Sequence, residues 1–402
     1  MVASTDGGFL LTGTSLSGIS GDKSENSKGD DDVWAIKIGA NGMPQWNKTY
    51  GGTGMDFVNT AIPTRDGGFL LAGWSVSDVS GDKSEKKRGG LDCWLVKVDA
   101  NGTRQWDKTL GGTGEEQATA LVAMPDGGYL VGAYSFSPSS DDKSEDGYGG
   151  ADYWLIKLDA NGNIQFDKTL GGGKNDFLSA LAPTPDGGFV LYGDSDSNSS
   201  GDKSENSKGQ VDVWLVKVSA DGTKQWDKTL GGSSLDYTLP INSIVVTSDG
   251  GLVFEATSNS GASGNKSEGS KGDYDYWLVK VDANGNKLWD KSFGTAGADM
   301  ASALTASPDG GFLLGSRSSS GQSSDKSENG RGNVDYWLVK VGADGTRQWD
   351  KTLGGSGLDY LTSVVATTDG GFLAGGFSIS NTSGEKSENS KGAEDFWIVK
   401  IN

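Results

Sequence analysis

The fold is decided by a stretch of 60 residues, 176–235, which reads DFLSALAPTPDGGFVLYGDSDSNSSGDKSENSKGQVDVWLVKVSADGTKQWDKTLGGSSL. Similar stretches fill the whole chain of 402 residues. The tripeptide Asp-Gly-Gly marks each copy and begins at Asp6, Asp66, Asp126, Asp186, Asp249, Asp309 and Asp369. Its spacing is 60 residues except for one interval of 63, whose additional residues lie around Leu239-Pro240-Ile241-Asn242. Self-similarity at a fixed period predicts a repeat architecture.

Each repeat except the last contains four short segments that are typical of β-strands. In the quoted copy they are residues 179–183, 189–195, 211–218 and 223–230, each bounded by Gly, Asp, Asn or Ser and too short for a helix. The third segment is apolar on both faces, as expected for a sheet that is covered on both sides. The Asp-Gly-Gly and Ala-Asn-Gly turns favour antiparallel connections.

Seven such units, each with two apolar faces, are expected to stack on one another. The sequence therefore predicts an all-β fold, a seven-bladed β-propeller of four-stranded antiparallel blades in a single domain over residues 1–402, with an open β-solenoid as the alternative. The predicted repeats are 1–55, 56–115, 116–175, 176–235, 236–298, 299–358 and 359–402. The last repeat contains no fourth segment, so the last blade should lack its outermost strand. Its edge ending at Ile401 would then be open to an added strand.

Tryptophan recurs at fixed places in the repeat. Seven of the 13 tryptophans lie in the third segment and five in the fourth, and such regularity predicts packing between blades. The single cysteine, Cys93, occupies a third-segment position where other repeats carry Val, Tyr or Phe. We expect it to be a buried apolar residue.

Composition excludes several classes of function. The chain has 35 Lys and Arg against 54 Asp and Glu, a net charge of −19, which disfavours nucleic acid and anionic membranes as partners. It has no histidine, and therefore none of the Ser-His or Cys-His pairs on which many hydrolases depend. No apolar run is long enough to span a membrane. We expect a monomeric domain that is a segment of a larger chain.

The order of segments, with a Gly-Gly strand, a long loop and two strands carrying aromatic residues, resembles the kelch-type blade. The pattern GGxGxD…ALxxxPDGGFLLAGxS…DYWLVKVDANGxxQWDKTLGG is similar to propeller repeats of large secreted and surface proteins of Bacteroidetes-type bacteria. The resemblance covers essentially the whole chain. It implies an extracellular or cell-surface location, a binding or adhesive role, and a first strand that is innermost in each blade; it implies no active site.

The long loop carries a Lys-Ser-Glu motif in every repeat, at residues 23–25, 83–85, 143–145, 203–205, 266–268, 326–328 and 386–388. The motif has a structural interpretation, in which side-chain bonds and Lys–Glu pairs to neighbouring blades fix the loop. The functional interpretation is a sevenfold set of charges that binds a repetitive polymer or a partner surface.

Acidic residues recur in the GGxGxD connection on the same face. They are Asp56, Glu116, Asp176, Asp236, Asp299 and Asp359. Carboxylates beside turn carbonyls make Ca²⁺ the candidate ion, because this ion binds six to eight oxygens. The spacing matches no established calcium loop, and no other cofactor is expected.

Near the end of the second segment, one position varies freely inside a fixed frame. The series runs Thr14, Trp74, Tyr134, Asp194, Thr257, Arg317 and Phe377. Variation of this kind predicts a ligand-binding surface, for which we single out Trp74, Tyr134, Asp194, Arg317 and Phe377. The alternative is a strand end that tolerates any residue.

The sequence favours a non-catalytic binding or adhesion module that recognises glycan or protein through the face of the long loops. A structural spacer, or an engineered repeat propeller without a ligand, is the alternative. An enzyme would need a feature unique to one blade, and the carboxylates Asp194, Asp196 and Glu255 are the candidates for a glycosidase.

Overall fold

Every regular element in the computed structural model, which describes residues 1–239 and 243–402, is a β-strand. The strands form seven antiparallel sheets. The predicted fold class is confirmed: the chain is a seven-bladed β-propeller whose last blade has three strands. Residues 240–242 of the predicted insertion lie outside the described residues. The described chain contains no helix that could span a membrane.

Within each blade the strands follow one another in chain order. The first four blades comprise β1 (Val2–Ala3), β2 (Phe9–Ser15), β3 (Asp32–Ile38), β4 (Pro44–Tyr50), β5 (Asp56–Pro63), β6 (Phe69–Ser75), β7 (Asp92–Val98), β8 (Arg104–Leu110), β9 (Glu116–Ala123), β10 (Tyr129–Ser135), β11 (Asp152–Leu158), β12 (Ile164–Leu170), β13 (Asp176–Pro183), β14 (Phe189–Ser195), β15 (Asp212–Val218) and β16 (Lys224–Leu230).

The last three blades comprise β17 (Asp236–Tyr237), β18 (Ile244–Val246), β19 (Leu252–Ser258), β20 (Asp275–Val281), β21 (Lys287–Phe293), β22 (Asp299–Ala306), β23 (Phe312–Ser318), β24 (Asp335–Val341), β25 (Arg347–Leu353), β26 (Asp359–Ala366), β27 (Phe372–Ser378) and β28 (Asp395–Ile401). In the fifth blade β17 and β18 both pair with β19 and together take the place of a first strand.

The predicted strands of the fourth repeat agree with the structure except at their starts. The second strand is confirmed at both ends, and the third and fourth begin one residue later than predicted. The first strand begins three residues earlier, at Asp176, because the Asp176 N–H donates to the carbonyl of Ala151 at 2.7 Å. This bond lies at the start of the strand, directly after the glycine-rich residues 171–175, which look like a turn in the sequence.

Residue contacts divide the chain into two compact units, Met1–Leu181 with Ser197–Lys203, and Ala182–Asp196 with Ser204–Asn402. In the first unit β1 contacts β5, and β5 contacts β9. In the second unit β18 contacts β22, and β22 contacts β26. First strands of consecutive blades therefore pack against each other, as inner strands do. The single domain over residues 1–402 stays a prediction.

Apolar cores lie between consecutive blades. In the first unit, Cys93 and Leu95 of the second blade share a cluster with Trp154 and Ile156 of the third, and Cys93 is fully buried as expected. In the second unit, the Tyr276 ring lies 5.1 Å from the Trp337 ring of the next blade, and its hydroxyl donates to the Trp337 carbonyl at 3.1 Å. Third-strand tryptophans thus pack between blades, as predicted.

Candidate functional site

One edge of the blades carries both the long loops and the connections to the next blade. Antiparallel order explains this, because a second strand ends where the third begins, and a fourth strand ends near the start of the next first strand. We call this edge the long-loop face. Every candidate residue from the sequence except Glu255 lies at or next to a strand end on this face.

In the six blades that have a fourth strand, the Lys-Ser-Glu loop is anchored to that strand. Lys83 is 1% exposed, and its ammonium donates to the Thr109 hydroxyl and to the Glu85 carbonyl. The Glu85 carboxylate pairs with Lys108 at 3.0 Å and accepts the Thr109 N–H at 3.0 Å. The expected Lys–Glu pairs to neighbouring blades are therefore wrong for this motif, because the loop folds back onto its own blade.

Other residues of the long loops link neighbouring blades. The Arg88 guanidinium pairs with Asp142 at 2.8 Å, and Arg331 pairs with Glu385 at 3.0 Å. Equivalent ion pairs join Lys28 to Asp82 and Lys271 to Asp325. All seven lysines of the motif are buried. Their charges are therefore not exposed to a polymer or a partner surface, as the functional interpretation of the motif requires.

The candidate calcium ligands are fully buried and hold the connections between blades. Asp56 accepts the Gly52 N–H at 2.7 Å and the Ser77 hydroxyl at 2.9 Å through one oxygen. Its second oxygen has no hydrogen-bond partner among the described residues, and the same is true of Asp236, Asp299 and Asp359. The described chain has no group of three or more acidic, histidine or cysteine side chains placed to hold a metal. Calcium binding stays a prediction that these contacts do not require.

Sequence reasoning missed a second buried carboxylate beside each of these residues. It is the first residue of the third strand: Asp32, Asp92, Asp152, Asp212, Asp275 and Asp335. A Cβ added at Gly111 would lie 2.2 Å from Asp92 Oδ1 and 2.7 Å from Glu116 Oε2, so both acids converge on this glycine. The recurrence of Asp before each third strand was the available signal.

Burial makes Asp152 and Asp275 of these pairs hard to ionise. Burial raises the pKa of Asp152 to about 6, and the negative charge of Asp176 adds to this shift, while the Tyr148 N–H opposes it. Burial raises the pKa of Asp275 to about 6 in the same way, with Asp299 as the second charge. Proton uptake at these pairs follows from the low local dielectric and from repulsion between like charges.

In the first unit, the variable series lies in an aromatic surface. Trp74 is half-buried and stacks on Phe57, its partner across the strand pair, with ring centroids 4.2 Å apart and an interplanar angle of 10°. The Tyr134 ring meets the Phe177 ring edge-on at 5.0 Å, and Phe136, which is 43% exposed, lies 6.3 Å from Tyr134. The position is thus filled by rings with partly accessible faces.

In the second unit, the series is divided between buried and half-buried residues. Asp194 is buried and accepts the Thr238 N–H and hydroxyl at 2.9 and 3.0 Å. Thr257 is also buried. Arg317 and Phe377 are half-buried, and both contact the Tyr360 ring. Only this last pair offers a surface that a ligand could touch.

The three glycosidase candidates are in different surroundings. Asp194 is held by Thr238, Asp196 is half-buried, and Glu255 is 1% exposed. Neither carboxyl oxygen of Glu255 has a hydrogen-bond partner among the described residues, and burial raises the pKa of this side chain. A glycosidase needs two carboxyl groups that flank one glycosidic bond, and the burial of Glu255 closes it to a polysaccharide.

At the opposite edge of the second and third blades lies a cleft of about 310 Å³ that sequence reasoning did not anticipate. Its lining includes Arg65, Trp106 and Tyr129. Two charged groups of the lining pair with each other, since Lys97 contacts Asp66 at 2.7 Å; Lys97 also donates to Gln105. These residues belong to regular turns of the repeat, so no signal in the sequence marks them as a site.

The fold and the long-loop face define the class of the protein. It is a seven-bladed β-propeller with a structurally uniform frame and a variable series of residues on that face. The chain matches no protein-family profile. Over 163 residues it is 26% identical to the regulatory protein FlaEY of Caulobacter vibrioides, a match of 38% of this chain and 17% of that protein. The chain therefore spans about a sixth of the curated relative's length.

Solved structures show likeness in fold alone. A protein of unknown function from Dyadobacter fermentans aligns with a TM-score of 0.50 and 14% identity, covering 85% of this chain and 94% of that one. The WD40 domain of Neurospora crassa Pan2 aligns with a TM-score of 0.49 and 9% identity, covering 93% of this chain and 84% of that one.

Proposed function

We propose that the protein is a non-catalytic binding module that recognises glycan through the long-loop face, as part of an extracellular or cell-surface protein. The observation that carries this proposal is the stacked pair of Trp74 and Phe57, which lies at a variable position and is only half-buried. Aromatic faces are the parts of side chains that pack against the C–H groups of sugar rings. The resemblance to kelch-type surface repeats supports the location.

The rest of the face supports a rigid scaffold for such a surface. The pair of Arg88 and Asp142 joins adjacent loops, and Lys83 fixes its loop to the fourth strand of its own blade. A surface built on rigid elements binds with little loss of conformational entropy. The buried carboxylates and lysines have structural partners, which leaves the variable series to determine what is bound.

The test is a glycan array probed with the fluorescently labelled wild-type chain and with Trp74→Ala and Tyr134→Ala variants. We expect binding to a defined set of glycans and a loss of at least tenfold in affinity in one or both variants. Trp349→Ala is the matched control, because Trp349 is 37% exposed and lies on the outer strand β25. Equal losses in Trp74→Ala and Trp349→Ala, or no glycan bound at all, would overturn the proposal and favour a structural spacer.

We also propose that the outer edge of β28 accepts a strand. In the six other blades the N–H of the motif serine donates to a fourth-strand side chain, as Ser327 does to Asp350 at 2.8 Å. In the described chain β28 pairs only with β27. An added strand with the pattern Gln-Trp-Asp-Lys-Thr-Leu could pair with β28 in the register that fourth strands have in the other blades. Its Asp carboxylate would then accept hydrogen bonds from the Ser387 N–H and the Trp397 indole.

A synthetic peptide with the sequence of residues 347–355, RQWDKTLGG, tests this interaction. We expect saturable binding to the full chain, measured by fluorescence anisotropy. Replacing the peptide's Asp by Ala should weaken binding at least tenfold, because that carboxylate accepts bonds from both the loop and the Trp indole in complete blades. Equal binding of a scrambled peptide would contradict the proposal.

A further inference from the structure

Arg317 is the exceptional member of the variable series. It lies at the end of β23, where its register partner on the inner strand is Met300. Its guanidinium carbon is 5.3 Å from the centroid of the Tyr360 ring. Tyr360 in turn stacks on Phe377, with centroids 5.0 Å apart and an interplanar angle of 16°. The cation therefore lies beside a nearly parallel, stacked pair of aromatic rings.

The charge of Arg317 also acts on a group of the preceding blade. Burial raises the pKa of Tyr237, and the positive charge of Arg317 opposes this shift. Tyr237 packs edge-on against Tyr274 at 5.9 Å. The carboxylate of Asp194, which acts on the same hydroxyl, is bound by Thr238.

The charge of Arg317 has no partner in the described part of the chain. The side chain makes no ion pair there, and its buried Nε–H has no hydrogen-bond acceptor. Four of the other arginines pair with carboxylates: Arg88, Arg104, Arg331 and Arg347. In a chain with 54 acidic residues, a half-buried arginine without an acceptor is unusual, because an unmade hydrogen bond at a buried charged group is costly.

We propose that Arg317, Tyr360 and Phe377 form a subsite for the carboxylate of an acidic sugar, such as a uronic acid residue of the bound glycan. This inference rests on the proposed function and specifies its ligand. A guanidinium binds a carboxylate through two parallel N–H bonds, which fixes the orientation of the group. The adjacent ring faces suit the C–H groups of the pyranose that bears it.

An acidic peptide is the competing ligand, and the structure favours the sugar. A peptide with several acidic side chains needs several cations, whereas this surface offers one cation beside flat apolar faces. The net charge of −19 also repels polyanions at long range, with less effect on a glycan that carries a single carboxylate.

The test compares matched glycans that differ only at the carboxyl group. Oligosaccharides containing one uronic acid, and the same molecules with that carboxyl reduced to an alcohol, are titrated into the wild-type chain and into Arg317→Gln. We expect at least a tenfold weaker affinity for the reduced glycan in wild type, a similar loss for the acidic glycan in Arg317→Gln, and partial recovery in Arg317→Lys. Arg65→Gln removes the same charge from an exposed turn and should bind as wild type does.

The outcomes separate this inference from the proposed function. If acidic and reduced glycans bind equally, or if Arg317→Gln binds the acidic glycan as well as wild type does, the subsite is wrong while glycan binding stands. If no glycan binds, both proposals fail. If acidic peptides bind instead and Arg317→Gln abolishes their binding, the cation is functional but its assignment to a sugar is overturned. Near-ultraviolet circular dichroism should show that Arg317→Gln leaves the fold intact.

Discussion

The buried side chain of Glu255 makes the stability of the protein depend on pH in a way that one substitution should remove. Glu255 lies in β19 opposite Leu278 and is 1% exposed, and its two carboxyl oxygens have no hydrogen-bond partner among the described residues. Its backbone carbonyl accepts the Tyr192 hydroxyl. An amide in place of the carboxyl keeps the volume of the side chain but removes its titration, so the variant to make is Glu255→Gln.

The sign and size of the effect follow from the raised pKa. Because burial raises the pKa of Glu255, the folded protein keeps a proton that the unfolded chain releases above about pH 4.3. The stabilisation is fully present below the unfolded pKa and is lost as pH rises towards the folded pKa. Each pH unit in this window costs about 1.4 kcal/mol. Between pH 5 and pH 7, wild type should therefore lose up to about 3 kcal/mol relative to Glu255→Gln.

Urea unfolding followed by tryptophan fluorescence at pH 5, 6 and 7 measures this difference. We expect the free energies of unfolding of wild type and Glu255→Gln to diverge steadily as the pH rises. Glu394→Gln is the control, because Glu394 is exposed and its replacement should shift the curves by the same small amount at every pH. Parallel pH dependence of wild type and Glu255→Gln would refute the argument, since it would mean that Glu255 ionises in the folded protein as it does in water.

Three further predictions concern the buried polar groups of the long-loop face. Asp275→Asn should stabilise the protein above pH 6 by up to about 3 kcal/mol and have little effect near pH 3.5, because burial raises the pKa of Asp275 to about 6 and this stability is lost as pH rises; calorimetry at both pH values checks it. Gly111→Ala should cost about 1–3 kcal/mol because its Cβ would meet two carboxylates, whereas Gly392→Ala, which has nothing within 4 Å, should be neutral in the same denaturation assay. Lys326→Met should cost about 1–3 kcal/mol, because Lys326 is 1% exposed and its ammonium donates to Ser318 and Ser320; exposed Lys351→Met is the control, and equal thermal stability of the two variants would contradict this role.

The architecture was predictable because the pattern that encodes it recurs seven times. Third-strand apolar runs, turn glycines and regular tryptophans all indicated stacked antiparallel blades. The recurrence of the same features from repeat to repeat supported this interpretation. The starts of the first strands were not predictable. The stretch before Asp176 is rich in glycine and looks like a turn, and only the bond from its N–H to Ala151 of the preceding blade makes the segment regular. Pairing between distant residues leaves no local signal.

The candidate site was predictable only in part, for a similar reason. The variable series marked positions on the long-loop face, but one pattern contained buried Asp194, stacked Trp74 and unpaired Arg317. These three residues have different surroundings because each meets a different neighbour on an adjacent strand or blade. Likewise the recurrence of Lys83 and Glu85 indicated a structural role, while the partner proved to be the fourth strand of the same blade.

The ends of the second strands show how a uniform frame and a variable surface exist side by side. Successive residues of a strand point to opposite faces. The second strands of all seven blades end in serine, and these serines belong to the buried polar network, as Ser318 does through its bond to Lys326. The preceding residue, Arg317 in this blade and Trp74 in another, points the other way and meets the inner strand instead. Where the variable residue is half-buried, as at Trp74 and Arg317, substitution therefore changes the surface without disturbing the serine bonds, whereas buried Asp194 bonds to Thr238 of the next blade and is part of the frame.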